Sequence, residues 1–444
     1  MTKFNQTFKA FIVIALMGLN LNVFAQIDNW RAWDQDGVNV FEAPKSTDAV
    51  FNGTKVKIGG AFNQQYQSLS HSNDTTGNGN LLYDIGPGFK LATANLNIDV
   101  QLNDGIRLCV ENYMSSQHHT EFWVKGGYIQ VDKLPMFGNP QWFTDKFRVK
   151  VGQFQQNYGD QQFRRLDNGN GMFNPFVGNY IMDAFATEIG AEFYYFATPE
   201  IMVMGGLSNG QLNPSVALFK DGKEAKPSIY LKGAYDKQIN DDTRFRLSAS
   251  FTTNSNAGRS TLYGGDRTGS AFKAVMALDG ADLTSKAFQG RWNPGFTNQI
   301  TAIQINPFFK MKGLEVFGVV ETASGNNLSK NATTGQYEFL DKNKRSVMQI
   351  GGEVIYRFLD NESAYVGAKY NQVSGQLNAG YKDANGEFLK ASINRIEVGA
   401  GWYATKNLLL KGEYVKQSYV DFPGTTEFKD GMFNGIVIAA VAAF

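Results

Sequence analysis

Pairs of basic residues separated by one position recur in this sequence within short apolar segments. Arg148 and Lys150 alternate with apolar residues in this way, and so do Arg244 and Arg246. Because successive side chains of a β-strand point to opposite faces, each pair would lie on one face of a strand. Two neighbouring cations create a local positive field that could select small anions without any bond-making step. The alternative is that they form ladders with acids on neighbouring strands and only stabilise the fold.

A second group of charges lies in a long segment rich in glycine and asparagine. Residues 155–183 carry Arg164, Arg165, Asp160 and Asp167 among several aromatic side chains. The segment is less apolar than a strand and too aromatic for a solvated linker. We expect these four residues to line a constriction. The alternative is that the two arginines pair with the two aspartates and brace the loop.

Signals of catalysis, metal binding or nucleic-acid binding are scarce. The chain has one cysteine and three histidines, His71, His118 and His119, which are all expected in loops. The adjacent pair cannot easily share one strand face to bind a metal, and no nucleophile elbow or phosphate-binding loop motif is present. With 42 basic and 41 acidic residues, the chain lacks the basic excess of a nucleic-acid-binding protein. We therefore predict a protein that is not an enzyme and has no cofactor, metal or nucleic-acid partner.

The elements that position the charges are predicted to be β-hairpins. Residues 94–102 alternate between apolar and polar side chains, Asn103-Asp104-Gly105 supplies a tight turn, and residues 106–111 alternate again. Similar units recur along the chain, with segments of about ten residues joined alternately by short turns and long loops. This rhythm is typical of a transmembrane antiparallel β-barrel. We predict sixteen strands, or eighteen if the long loop 254–297 hides a hairpin.

The predicted strands run alternately up and down, with short periplasmic turns and long external loops. Upward strands are expected to begin near Lys55, Ile106, Phe147, Ile201, Thr243, Leu314, Ala364 and Leu408. Downward strands are expected to begin near Phe89, Glu121, Thr187, Pro227, Asn298, Val347, Ser392 and Met432. A barrel of this size is wide enough to hold an aqueous channel.

The N-terminal residues 1–25 have the pattern of a secretory signal peptide. Lys3 and Lys9 precede an unbroken apolar run over 10–19, and Val23-Phe24-Ala25 places small residues where a signal peptidase cuts. We predict cleavage after Ala25 and export to the bacterial outer membrane. Loss of the two lysines would leave 40 basic and 41 acidic residues. Residues 26–54 show no strand pattern and are expected to form a short periplasmic segment under the barrel, which would occupy 55–444.

The C-terminal strand carries a second signal of an outer-membrane barrel. It ends on Phe444, and Ile436 and Ile438 share the face of that aromatic residue. Strands that end in this way are read by the barrel-assembly machinery, so we expect this machinery and outer-membrane lipid to be partners. The opposite face of the strand is also apolar, and we expect that face to pack against a segment inserted into the barrel.

Three segments resemble the phosphate-selective porin O and P family. They are RVKVGQFQQNYGD at 148–160, TLYGGDRTG at 261–269 and GLEVFGVVE at 313–321, and Gln156 stands where better-known members carry proline. The resemblance implies a water-filled channel for small hydrophilic solutes, with a preference for anions or phosphate and a homotrimeric assembly. In general porins the third external loop folds into the barrel, which is the place that 155–185 takes here.

The sequence therefore favours a porin, with two alternatives left open. One is a plugged structural or adhesive barrel whose long loops bind a partner, and the other is an outer-membrane barrel enzyme. In the porin interpretation, strand parity places a set of basic side chains on the lumen wall. They are Arg107, Arg148, Lys150, Lys232, Arg244, Arg246, Arg395 and Lys411.

Overall fold

The computed structural model describes residues 29–46, 51–74, 82–115, 122–210, 225–264, 270–331, 333–334, 337–339, 343–378 and 380–444. The predicted signal peptide and its cleavage site, as well as His118 and His119, lie outside these residues. The described part of the chain contains two short helices, α1 (Gln141–Lys146) and α2 (Leu283–Lys286). The strands are β1 (Lys55–Ser72), β2 (Gly88–Phe89), β3 (Thr93–Asn103), β4 (Ile106–Ser115), β5 (Phe122–Val131), β6 (Phe147–Gln155), β7 (Thr187–Thr198), β8 (Ile201–Ser208), β9 (Ser228–Asn240), β10 (Thr243–Thr253), β11 (Asn298–Met311), β12 (Leu314–Asn326), β13 (Leu328–Lys330), β14 (Tyr337–Phe339), β15 (Arg345–Phe358), β16 (Ala364–Gln376), β17 (Lys390–Thr405), β18 (Leu408–Val420) and β19 (Met432–Ala443).

All of these strands except β13 and β14, which pair in a separate two-stranded sheet, form one closed antiparallel barrel. Its sheet has 17 strands, of which β2 is a two-residue edge piece, so sixteen long strands make the wall. β1 closes the barrel, because its first half pairs with β3 from Lys55↔Gln101 onward and its second half pairs with β19 down to Ser72↔Met432. The predicted sixteen-stranded barrel is confirmed. The eighteen-strand alternative is wrong, since the described part of 254–297 adds α2 and no strand of the sheet.

All eight predicted upward strands begin at the expected residues. The downward strands begin within a few residues of the predicted positions; the largest shift is at β3, which starts at Thr93 because β2 and a short break precede it. Turn residues and a two-residue period define one end of each hairpin sharply. The other end merges into loops that keep extended backbone, so the sequence pattern locates it less well.

The outer surface of the wall is apolar and the inner surface is polar. Along β17, Ile396 and Val398 are 52% and 54% exposed, whereas Glu397 between them is fully buried. A continuous exposed apolar surface of this kind suits lipid rather than water. Within the described residues, no helix is long and apolar enough to cross a membrane.

One connection at the short-turn end of the barrel departs from the expected short turns. Residues 132–146, between β5 and β6, contain a 3₁₀ turn (Pro135–Phe137) and α1. Phe137 and Trp142 are both exposed there, and the Trp142 ring lies 5.6 Å from that of Phe147 at the base of β6. Aromatic side chains at this level are typical of the membrane interface, so this connection extends the apolar rim of the barrel.

The interior of the barrel is filled by its own loops. The segment 156–186, which we call the inner loop, is buried over almost its whole length. Its Met172 and Ile181 join Phe272 of the long loop 254–297 in one apolar cluster with Val437 and other inward residues of β19. The apolar second face of the last strand therefore packs against inserted segments. A third piece, residues 29–46, fills the end of the barrel that carries the short turns; we call it the N-terminal segment.

Candidate functional site: the loop-filled lumen

Basic side chains of the wall bind carbonyl oxygens of the inner loop. Lys411 Nζ donates to the carbonyls of Gly171, Asn174 and Phe176, each at 2.7 Å. Arg395 Nη1 donates to the carbonyl of Asn179 at 2.6 Å. A loop without regular structure cannot satisfy its own backbone groups in the interior. These two wall cations therefore supply hydrogen-bond donors to carbonyls of the loop backbone.

Acidic and amide side chains of the wall accept hydrogen bonds from the same backbone. Glu192 accepts from the Asn157 amide at 2.6 Å, and Glu413 accepts from the Val177 amide at 2.7 Å. Asn371 accepts from Ile181 at 2.6 Å. Wall side chains thus take the place of water as hydrogen-bond partners for both the amides and the carbonyls of the loop backbone. This network holds the loop in one position inside the barrel.

Arg164 joins the inner loop to the wall through two carboxylates. Its Nε donates to Glu353 at 2.9 Å and its Nη2 donates to Glu315, while Nη1 donates to Asn39 of the N-terminal segment. The arginine side chain is 1% exposed. The alternative to a constriction paired it with Asp160 or Asp167, whereas its partners lie on β12 and β15. Arg164 braces the loop against the wall.

Asp160 belongs to a buried cluster of four charges. It lies 2.8 Å from both Lys232 and Arg246, and the same two bases bind Glu42 of the N-terminal segment at 2.9 and 2.6 Å. Burial opposes ionisation of Asp160 and Glu42, but Arg246 and Lys232 outweigh it and lower the pKa of both carboxyl groups. The cluster ties the wall, the inner loop and the N-terminal segment together.

Neutralising Glu42 should release the N-terminal segment. In Glu42→Gln the side chain keeps its shape but loses its charge, while Lys232 and Arg246 retain Asp160, so the barrel itself should stay folded. We expect faster hydrogen exchange of the amides in 29–46, measured by mass spectrometry. Asp36→Asn, an exposed acid of the same segment, is the control and should leave the exchange unchanged.

The same cluster predicts how the segment responds to pH. A carboxyl group whose pKa is lowered by folding stabilises the folded state above its unfolded pKa, and this stabilisation is lost only as the pH falls through the lower folded value. The protection factors of the amides in 29–46, which are corrected for the intrinsic pH dependence of exchange, should therefore stay constant from about pH 7 down to about pH 5. A release of the segment within that interval would contradict the assigned ion pairs.

Arg165 and Asp167 lie on a different side of the loop. The Arg165 guanidinium binds Asp183 through Nη2, lies 3.9 Å from Asp167, and sits 4.0 Å above the ring of Phe185. Asp167 accepts from Lys125 of β5 at 2.5 Å. The predicted bracing pair of Arg165 with Asp167 is present only as the 3.9 Å contact. Of the four predicted site residues, these two face a cavity between the inner loop and the wall.

That cavity, which we call the passage cavity, has a volume of about 220 Å³. Its walls come from β4 to β7, the inner loop and the N-terminal segment. Six basic and three acidic side chains line it. They are Arg31, Arg107, Lys125, Arg148, Lys150 and Arg165, with Glu42, Glu111 and Asp167. Basic side chains therefore outnumber acidic ones around this space.

Lys150 is the lining cation that is least engaged by the protein. Its ammonium lies 4.1 Å from the ring centre of Tyr128 and 4.0 Å from that of Phe154. Across the described ranges it makes no ion pair, in contrast to Arg148, whose Nε lies 2.7 Å from Asp132. Arg107 is engaged only in part, with Nη2 on Gln130 at 3.1 Å and Nε at 4.0 Å from Asp99.

The remaining predicted lumen bases also lie on the inner face, but most of them bind protein groups. Arg244 pairs with Asp236 at 2.7 Å and donates to the Asn39 carbonyl at 3.0 Å. Arg246, Lys232, Arg395 and Lys411 bind the loop or the N-terminal segment as described. The structure therefore separates the predicted set into anchoring charges and the charges around the passage cavity.

Two larger cavities lie elsewhere in the barrel. One, about 650 Å³, lies at the end that carries the short turns and is lined by charged residues such as Asp36, Arg244, Lys310 and Lys406. The other, about 530 Å³, lies at the end that carries the long loops and is lined by residues around Trp292.

Sequence reasoning missed the N-terminal segment as part of this site. It was expected under the barrel, but Arg31, Asn39 and Glu42 reach the inner loop and the wall. The Arg31 guanidinium lies 3.7 Å from the ring centre of Phe173 in the inner loop. The mixture of aromatic and charged residues in 29–46 was the available signal, because a solvated linker would not need the aromatic side chains.

The histidine prediction needs one correction. His71 lies in β1 rather than in a loop, because the strand continues to Ser72 through pairing with β19. Its two ring nitrogens are used by the Tyr83 carbonyl at 2.7 Å and the Met276 amide at 2.9 Å. Among the described side chains, no group of three or more histidine, cysteine, aspartate or glutamate residues could hold a metal.

Comparisons with known proteins agree with this architecture. No protein-family model and no curated protein sequence matches the chain. Among solved structures, the chain is similar to an anion-selective porin from Comamonas acidovorans, with 11% identity and a TM-score of 0.50 over 88% of this chain and 100% of that one. The chain has the porin fold.

Two further porin-type barrels resemble it at similar levels. The outer membrane channel DcaP of Acinetobacter baumannii has 12% identity and a TM-score of 0.49, covering 89% of this chain and 99% of that one. OprB of Pseudomonas putida has 12% identity and a TM-score of 0.48, covering 88% and 94%. At these identities the likeness concerns the fold alone.

Proposed function

We propose that this protein is an outer-membrane porin that passes small hydrophilic solutes through a narrow, anion-preferring channel. The passage cavity carries this proposal, because six bases and three acids surround this space of about 220 Å³ inside a porin-type barrel. Transport needs no chemical step, and the field of the lining charges selects the ions. The resemblance to the phosphate-selective porins makes inorganic phosphate the first solute to compare with chloride.

A second candidate is a plugged barrel whose external loops bind a partner. The observation that favours it is the extent of the internal bracing, since Lys411 alone binds three carbonyls of the inner loop. Purified protein in a planar bilayer separates the two candidates. Stable single-channel currents support the porin, whereas an intact folded protein without conductance supports the plugged barrel.

Replacing Lys150 should reduce the anion preference. Lys150→Met keeps the length of the side chain and removes a cation that pairs with no acid within the described structure. We expect the reversal potential in a KCl gradient to shift towards zero, with little change in stability. Lys416→Met is the control, because Lys416 is exposed on the outer surface of β18. Cation selectivity of the unmodified protein would refute the proposed preference.

The proposed assembly is a homotrimer in outer-membrane lipid, inserted through recognition of Phe444. Phe444 closes the barrel, since its amide and carbonyl pair with Gly60 at 3.0 and 3.1 Å. The mass of the detergent-solubilised protein, measured by light scattering, tests the trimer directly.

A further inference from the structure

The external cavity is built differently from the passage cavity. It lies between the segment that follows α2, the loop after β16 and the loop after β18, and we call it the outer aromatic cavity. Its volume of about 530 Å³ lies within the usual range of small-molecule sites. Exposed residues such as Lys286, Asn293 and Asn378 lie at its rim, and buried Trp292 and Tyr419 lie at its base.

Aromatic rings form a continuous surface in this cavity. Tyr419 and Phe428 are stacked, with ring centres 5.0 Å apart and an interplanar angle of 17°. Phe422 contacts both Tyr419 and Trp292, each with a centre distance of 5.8 Å. The Trp292 Nε1 is buried and has no hydrogen-bond partner in the part of the chain that the structure describes. A ring-shaped ligand could stack on this aromatic surface.

Polar groups around the rings include both donors and acceptors. Glu427 accepts a hydrogen bond from Gln289 at 3.1 Å, and the amides of Asn293, Gln376 and Asn378 also line the cavity. Sugar hydroxyls donate and accept, so they match a carboxylate and amides together. An aromatic carboxylate has no donor to offer to Glu427, whose charge would repel it.

We propose that the outer aromatic cavity binds a saccharide, a short oligosaccharide with at least one pyranose ring stacked on the aromatic surface. Its rim lies at the external face of the barrel, so the ligand would enter from outside. Lys286, Arg291 and Arg345 against Glu427 give the lining an excess of positive charge. Acidic and uncharged saccharides share the required chemistry, and the experiment below distinguishes them.

The site is connected to the inner loop through its base. The Trp292 amide donates to the Ile181 carbonyl at 2.7 Å, and Arg395 binds the carbonyls of both Gly290 and Asn179. A saccharide bound here would occupy the entrance directly above the inner loop. This step rests on the proposed porin function: a saccharide added on the external side should then reduce the ion current, whereas the same saccharide added on the periplasmic side should not.

Binding itself can be tested without conductance. Calorimetry and tryptophan fluorescence of the full chain in detergent would use maltotriose as the uncharged probe, trigalacturonate as the acidic probe and benzoate as an aromatic anion. We expect saturable binding of at least one saccharide with a dissociation constant of about 1 mM or below. Binding of benzoate alone, or of none of the three, would overturn the proposal.

Two variants place the binding in this cavity. Phe428→Ala with Tyr381→Ala removes two partly buried rings of the lining, and we expect at least tenfold weaker saccharide binding. Phe137→Ala, an exposed phenylalanine at the periplasmic end, is the matched control and should bind normally. Equal loss in both, or normal binding in the double variant, would exclude this site. Binding that persists in a protein without conductance would contradict the porin and leave the saccharide site intact.

Discussion

Replacing the inner loop by a short glycine-serine turn will increase the single-channel conductance several-fold. The loop occupies the middle of a sixteen-stranded barrel, which is otherwise wide enough for an aqueous channel. Gln155 and Thr187, which flank it, are paired neighbours on β6 and β7, so a tight turn can join them without moving either strand. The wall charges that now bind the loop would be hydrated by the water that enters. We expect an increase of about threefold or more in planar-bilayer recordings.

A matched loop replacement controls for this change. Residues 209–227 also join paired neighbours, Ser208 on β8 and Ser228 on β9, and the residues of this range that the structure describes (209–210 and 225–227) do not line the three cavities described above. Shortening that loop should leave the conductance close to that of the unmodified protein. An unchanged conductance after removal of the inner loop would mean that the restriction lies in the N-terminal segment, and equal increases in both variants would point to a general loss of barrel integrity.

The barrel could be predicted because its determinants are local. A two-residue period decides which side chains face lipid, and residues such as Asp104 and Gly105 mark the turn after β3. Neither feature depends on distant parts of the chain. The same holds for the inward position of Lys150 and Arg246, which follows from parity alone.

The partners of the inner loop could not be predicted, because they depend on the register of distant strands. Arg164 contacts Glu315 and Glu353, which are 151 and 189 residues away along the chain. From the sequence alone, the nearby Asp160 and Asp167 were the acidic partners considered for Arg164. Asp160 instead binds Lys232 and Arg246, because closure of the barrel brings β9 and β10 against the start of the loop.

The division of the lumen charges into anchoring charges and charges around the passage cavity could not be predicted from the sequence either. Strand parity places both Arg395 and Lys150 on the inner face, yet Arg395 binds loop carbonyls and Lys150 faces the passage cavity. The difference arises from where the inner loop passes, and a loop without periodicity gives no sign of its course. Parity predicts that a side chain faces inward, but it does not predict whether water or protein will meet it.

The two adjacent arginines of the inner loop should therefore have separable effects. Arg164→Ala leaves Glu315 and Glu353 without their shared partner, although Arg357 still contacts Glu315 at 2.9 Å. Breaking a buried ion pair on one side costs about 3–5 kcal/mol, because an uncompensated charge stays buried. We expect a lower unfolding temperature by circular dichroism and noisier open-channel currents, since the loop loses its anchor on β12 and β15.

Arg165→Ala should act on selectivity instead. Arg165 lines the passage cavity, and its partner Asp183 keeps a hydrogen bond from Asn179 at 3.2 Å, so the loop loses little support. The reversal potential in a KCl gradient should shift towards zero while the unfolding temperature changes little.

Adding Glu353→Gln to Arg164→Ala should recover part of the lost stability, because it removes one of the stranded charges. If both single variants changed stability and selectivity in the same proportion, the assignment of Arg164 to bracing and Arg165 to the passage would be wrong, since one mechanism would then explain both residues.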